Sequence, residues 1–327
     1  MGTSNPFFSY LLPAYNAQDT LARALDSVLA QACDDWELIA IDDGSTDNTL
    51  AILEEYAKRD ERISVITQTN SGCAAARAHA QELSTGQFLV KFDADDMLDT
   101  LWSTEMKAAI AAHPECDFFS CNATLTTYDE HGVVVSSRPY VASPRFKSET
   151  TLNLADIMVE PFILGGGSAV ARELIETSGG YQRGPRAEDF DFWVRAFLAG
   201  ARHCYIPQEL YSYSKGIHGQ MNEDQRVSYA SFVESIDNAL ARTDLTYKQR
   251  ELLEKGRERY LERTELAYYE HAYVNEELAQ QSERFFALLN KIFPRNVARV
   301  LYSCAHAIKK PIDPIRIALA RKKEEKK

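Results

Sequence analysis

The chain has 327 residues, 45% of them apolar and 10% aromatic, enough for a sizeable core with an appendage beside it. A net charge of −12 argues against general affinity for nucleic acid or anionic membrane, with one local exception: from Pro294 to Lys327, ten Lys or Arg stand against three acids. The cysteines lie scattered without CxxC spacing, which argues against a zinc module and suits the reduced thiols of a cytoplasmic protein. No apolar run approaches the roughly 20 residues that span a bilayer, and Phe7–Leu12 is too short for a signal segment.

In chain order, Phe7–Leu12 reads as a strand that ends at Pro13-Ala14-Tyr15-Asn16. Leu21, Leu25, Val28 and Leu29 fall on one face of a helix over Thr20–Ala32. Trp36–Ile41 is a second strand, broken by Asp42-Asp43-Gly44-Ser45-Thr46-Asp47 before a helix bearing Leu50, Leu53 and Tyr56. Ile63–Ile66 is a third strand, Asn70-Ser71-Gly72 a turn and Ala74–Leu83 a helix. Strands alternating with such helices predict an α/β fold with a mainly parallel central sheet and ligands at the carboxyl ends of its strands.

The fourth strand, Phe88-Leu89-Val90-Lys91-Phe92, delivers Asp93, Asp95 and Asp96 within four residues. Unneutralised, these charges repel. A divalent ion, Mn2+ or Mg2+, with hard oxygen ligands completed by a diphosphate, would neutralise them. The bland alternative is that Asp95 or Asp96 caps a helix over Met97–Ala112. Four strand ends carrying polar clusters, at Tyr15 and Asn16, at Asp42 and Asp43, at Asn70, and at Asp93 and Asp95, favour the site.

Downstream, Asp117–Cys121 reads as extended, Gly132–Val135 as a hairpin arm and Arg138–Thr151 as a polar excursion. Gly165-Gly166-Gly167-Ser168 precedes an apolar stretch at Ala169–Ala171; these glycines either admit a ligand close to the backbone or form a tight turn. Glu188-Asp189-Phe190-Asp191 opens a helix to about Ala199, where acids complement the helix dipole as well as offering chemistry. From Asn222 the β signals vanish and Arg226–Ala241, Tyr247–Ala279 and Ser282–Ile292 read as helices. The domains expected are therefore 1–221, a helical appendage over 222–293, and a basic amphipathic tail over 294–327 that is either a lipid-surface contact or a solvated tail.

Pro13-Ala14-Tyr15-Asn16, Asp42–Asp47, Asn70-Ser71-Gly72 with Ala76-Arg77, Asp93–Asp96, Gly179-Gly180-Tyr181 and Glu188-Asp189 occur in an order and spacing that resembles the inverting family-2 glycosyltransferases over about Phe7–Met221. The resemblance implies a GT-A fold, a nucleotide-sugar donor, usually a uridine diphosphate sugar, and a divalent metal. It implies that Asp43 bonds the base, that Pro13, Tyr15 and Arg77 line the nucleoside pocket, that Asp93 lies by the ribose and metal, and that Asp95 ligates the metal. Asp189 would be the catalytic base. Lys215 and His218 would face the diphosphate, lysine standing where the family often has arginine, and Ala78 replaces a frequent asparagine. Gly166, Glu188 and Trp193 are candidates for the sugar or acceptor, although a tryptophan one turn into a helix also suits a core.

The function expected is transfer of a sugar to a hydroxyl of a glycan or lipid-linked acceptor, in the cytoplasm or at the inner membrane face, without nucleic acid. A non-catalytic sugar-nucleotide or glycan-binding module and a metal-dependent nucleotidyltransferase are the alternatives. The second lacks the glycine-rich basic loop after the first strand, and a dinucleotide-dependent oxidoreductase lacks GxGxxG there.

Overall fold

The computed structural model describes residues 5–274 except 130, 132, 142–149, 162, 164 and 217–224. His218, the middle of the expected excursion, the helix expected at Ser282–Ile292 and the tail 294–327 lie outside the described residues. The chain divides into two units, Met1–Glu223 with Ser231–Arg257, and Asp224–Ala230 with Glu258–Lys327. Ser231–Arg257, expected in the helical appendage, thus belongs to the first unit.

The first unit begins β1 (Phe8–Ala14), α1 (Leu21–Leu29), β2 (Trp36–Asp42), α2 (Thr49–Arg59), β3 (Ile63–Thr67), α3 (Cys73–Leu83) and β4 (Phe88–Lys91). The four strands pair in parallel in the order β3-β2-β1-β4. The chain thus winds outward from β1 to β3 and then returns to the other side of β1. The winding reverses at the carboxyl ends of β1 and β4, the place where open α/β sheets form their ligand crevice.

Pro13 lies inside β1 rather than after it. β1 pairs with β2 as far as Ala14↔Asp42 but with β4 only as far as Leu11↔Lys91, so one flank of the strand has already opened at the proline. A residue without an amide N–H is tolerated there because no ladder bond is required of it.

Met97 does not begin a helix. Met97–Leu98 forms β5, antiparallel to a later strand, and α4 (Trp102–Ala112) starts beyond it. Asp99 holds that start, its carboxylate accepting Leu101 N at 2.9 Å and its carbonyl accepting Trp102 N at 3.0 Å. Asp95 and Asp96 are therefore not its caps.

The remaining elements are β6 (Phe118–Tyr128), β7 (Val134–Pro139), α5 (Leu154–Ile157), β8 (Ala169–Ala171), α6 (Arg172–Ser178), α7 (Glu188–Leu198), β9 (His203–Lys215), α8 (Gln225–Leu240) and α9 (Tyr247–Val274). β8 runs antiparallel between β4 and β6, β9 lies parallel to β6, and β5 and β7 are antiparallel additions. The sheet is parallel across its first half and mixed across its second. The register of β6 against β9 jumps from Cys121↔Ile206 to Asn122↔Glu209, a bulge at Pro207 that breaks the alternation by which a strand is read from sequence.

The core is aromatic where the two halves meet. Trp102 packs on Phe8 and Tyr10 at ring distances of 5.0 and 5.7 Å and donates from Nε1 to the Gly167 carbonyl at 2.9 Å. Fully burying a side chain such as Phe8 contributes about 1.5–3 kcal/mol. Among the described residues no helix is long and apolar enough to cross a membrane.

His203 is 1% exposed at the start of β9, accepting Leu152 N at Nδ1 and bonding Ser120 Oγ through Nε2. Burial pulls its pKa down to about 3. The unfolded imidazole titrates near about 6.5, so the stabilisation is full above that pH and is lost as pH falls toward the folded value. The urea midpoint should therefore fall with acidification from about 6.5 downward more steeply in the wild type than in His203→Gln. Parallel curves for the two proteins would show that this imidazole does not drive the loss.

Candidate active site

The loops after the parallel strands fold over one another through their own polar side chains. Asn16, at φ 47°, accepts Thr46 N on its side-chain Oδ1 at 2.8 Å and donates its backbone N–H to Ser45 Oγ at 3.0 Å, tying the end of β1 to the loop after β2. Asp43 lies buried in that loop, accepting Gln68 Nε2 and Ser71 N on Oδ1 and Gly72 N on Oδ2, each at 2.8 Å. Gly72, at φ 89° and ψ 159°, occupies backbone space essentially reserved for glycine and turns the loop into α3. Tyr15, 51% exposed, stands beside this floor, whereas Pro13 is buried in β1.

Arg77 descends from α3 beneath the same crevice and is 0% exposed. Its Nε donates to Glu188 Oε1 at 2.7 Å and its Nη2 to Asp93 Oδ1 at 2.5 Å and Cys73 Sγ at 3.5 Å. Its Nη1 donates to the carbonyls of Leu11 and Phe92 at 3.0 and 3.2 Å. Burial alone would lower its pKa, but the Glu188 and Asp93 carboxylates hold it above the ordinary value. Tyr181 packs on the guanidinium, 5.9 Å from ring centroid to Cζ. Expected beside a nucleoside, Arg77 is instead enclosed by the chain.

Lys91 completes the charge pattern, its Nζ donating to Asp93 Oδ2 at 2.6 Å. Although burial would raise it, Lys91 and Arg77 hold the Asp93 carboxyl well below the usual range. Asp95, two residues on, is half-buried, and its carbonyl accepts Arg23 Nη2 at 2.7 Å. Asp96 turns inward to accept Ser214 N at 2.9 Å, and burial, with Asp95 and Asp93 beside it, pushes its carboxyl up. Ser214 also accepts Arg23 Nη2, so the end of β9, with exposed Lys215 next in sequence, is fastened to the acidic loop.

Asp189 enters from α7. A Cβ placed on Gly165 would lie 2.9 Å from Asp189 Oδ2 and 3.1 Å from Lys91 Cδ, so a glycine there lets the aspartate and the lysine come together. Burial pushes the Asp189 carboxyl above its ordinary value; the Lys91 ammonium opposes that rise and Glu188 adds to it. Glu188 is 8% exposed, and among the described residues its Oε2 has no hydrogen-bond partner. The acids of β4 and those of α7 therefore share one cluster with Lys91 and Arg77 between them.

Two of the expected contacts have packed surroundings. Trp193 is buried against Phe190, a T-shaped pair at 6.3 Å. A Cβ on Gly166 would fall 2.5 Å from ring carbons of Tyr211, which fills the side-chain space there. Lys91 was not singled out from the sequence, yet a signal was present. It is the one charge in the run Phe88–Phe92, and two-residue spacing puts it on the same face as Asp93.

Gly166→Ala should lower stability by about 1–3 kcal/mol through overpacking against the Tyr211 ring. Thermal melting measures this. A variant of wild-type melting temperature but raised KM for the donor would instead place Gly166 against a ligand.

The chain matches the sequence profile described as Glycosyl transferase family 2 over residues 9–178, which stops short of Glu188 and Asp189. It is 31% identical over 244 residues to EpsE of Bacillus subtilis (strain 168), named as a glycosyltransferase, covering 72% of this chain and 81% of EpsE. In fold it is similar to residues 1–349 of TarS of S. aureus in complex with UDP-GlcNAc, with a TM-score of 0.64, 21% identity, and coverage of 98% of this chain and 92% of that one. It is also similar to the mannosyltransferase PcManGT of Pyrobaculum calidifontis in complex with GDP-Man and Mn2+, with a TM-score of 0.60, 19% identity, and coverage of 95% and 88%. The profile match, the relative covered over most of its length and the shared GT-A architecture lead to one conclusion: the chain belongs to glycosyl transferase family 2 and is a glycosyltransferase.

Proposed function

We propose that this glycosyltransferase moves a sugar from a uridine diphosphate sugar to a hydroxyl of a glycan or lipid-linked acceptor, with inversion, using Asp189 as the base and a divalent ion at Asp95. The observation that carries the reading is the convergence of Asp189 with Lys91 and Asp93, side chains from separate stretches of the chain meeting at the switch point of the sheet. The uridine assignment leans on the TarS complex, and PcManGT, with a guanine nucleotide, is its natural competitor.

The exposed ring of Tyr15 and the floor built by Asp43 would receive the base. Asp43 Oδ2 is bonded only to Gly72 N and keeps acceptor capacity for an imide N–H. The donor set suits Mn2+ or Mg2+. Both oxygens of Asp93 already face cations, and Asp95, half-buried two residues on, is the carboxylate proposed for a site completed by diphosphate oxygens and water. Among the described residues no three His, Cys, Asp or Glu form a ready cage. When bound, such an ion neutralises charge on the departing diphosphate. Lys215, at the end of β9, and His218 are the further groups for that diphosphate.

Asp189 removes the proton of the acceptor hydroxyl as its oxygen bonds the anomeric carbon and the bond to the diphosphate breaks. A carboxyl raised by burial is a stronger base than an exposed one, and the Lys91 ammonium beside it opposes that rise. One displacement inverts the anomeric centre. The cytoplasmic face of a membrane is the proposed location, the tail 294–327 supplying the basic contact.

Asp189→Asn should lower kcat by at least about 10²-fold while leaving the Kd for UDP within about twofold, measured by donor turnover and calorimetry. Near-normal turnover would remove Asp189 from the role. The acid limb of the wild-type kcat profile should lie above the ordinary aspartate value of about 3.9, because protonating the base ends activity. EDTA should abolish turnover and weaken UDP binding, Mn2+ restoring both; binding and turnover indifferent to EDTA would eliminate the metal.

A further inference from the structure

We infer that Arg77 is a positioning residue, a buried fork that sets the distance between the donor-side acids just after β4 and the base on α7, and not a ligand of the nucleotide. This rests on the proposed roles of Asp95 and Asp189. The guanidinium has five N–H donors, and the chain takes all five: one to Glu188, two to the carbonyls of Leu11 and Phe92, one to Asp93 and one to Cys73 Sγ. None is left for a ligand.

The placement of those partners is what makes the arrangement a spacer. Glu188 immediately precedes Asp189 at the start of α7, and Asp93 stands two residues before Asp95. Nε grips the first and Nη2 the second, so the rigid plane of the guanidinium fixes how far apart the two acid segments lie. Nη1 anchors the plane to Leu11 in the middle of β1 and to Phe92 just beyond β4. Tyr181 lies against the guanidinium, and its own amide is tied to Gln81 Oε1 of α3 at 2.7 Å. Glu188 Oε2, buried without a partner among the described residues, shows how much that carboxylate depends on Arg77 for compensation. A lysine carries the charge but cannot hold two carboxylates and two carbonyls in one plane.

The test compares the full chain with Arg77→Lys, Glu188→Gln and the double variant, using UDP with Mn2+ as the binding probe and release of UDP from the UDP-sugar that the wild type turns over fastest. A positioning role predicts a UDP Kd within about twofold of wild type in all three, and a kcat lowered about tenfold or more in each single variant. The double variant should be no slower than the slower single, because both changes break one link. A UDP Kd weakened about tenfold in Arg77→Lys with kcat unchanged would overturn the inference, and so would losses that multiply in the double variant. If the wild type neither binds UDP nor releases it from any UDP-sugar, the donor reading fails. Hydrogen exchange at the Asp189 and Phe190 amides then decides the link: faster exchange in both single variants upholds it, and wild-type rates reject it.

Discussion

The structure depends on a line of alternating charge that no solvent reaches freely: Lys91, Asp93, Arg77 and Glu188, joined by contacts of 2.5 to 2.7 Å. Removing one member of such a buried pair costs about 3–5 kcal/mol, because the partner is left charged in a medium that cannot solvate it. The line links Asp93, just beyond the end of β4, to Glu188 in the first turn of α7.

The same charges sort the carboxylates into roles. Asp93 pairs with an arginine on one oxygen and a lysine on the other. Asp96 is turned into the protein to hold β9 through Ser214, and burial, with Asp95 and Asp93 beside it, makes its ionisation harder. Asp95 is half-buried, and Asp189 is raised by burial beside a lysine that opposes the rise. Chemically similar side chains thus differ in what they can do because of what lies within a few ångströms of each.

Much of this was legible in the sequence, and the misses have physical causes. The four βα units were read from apolar periodicity because each helix shows one buried stripe and each strand is a short apolar run between turn residues. Their order gave the location of the site. Met97–Leu98 was read as helical because two apolar residues carry no period; pairing with β9 decides their state, and that partner lies more than a hundred residues away. β9 itself was hidden by Pro207 and the bulge around it. The roles of Arg77, Gly166 and Trp193 are matters of enclosure. A sequence shows that an arginine or a glycine is present, but not that Glu188 and Asp93 close over the one or that the Tyr211 ring fills the space above the other.

The account stands on a single crevice in which the diphosphate lies at Asp95 and the anomeric carbon faces Asp189. A crystal structure of the full chain with UDP and Mn2+ tests this most directly. It should place the ion on Asp95 with the diphosphate, the terminal phosphate turned toward Asp189, and the Arg77 guanidinium still bonded to Asp93 and Glu188 without touching the nucleotide. A nucleotide bound away from the ends of β1 and β4, or one that draws Arg77 out of its pairs, would contradict it.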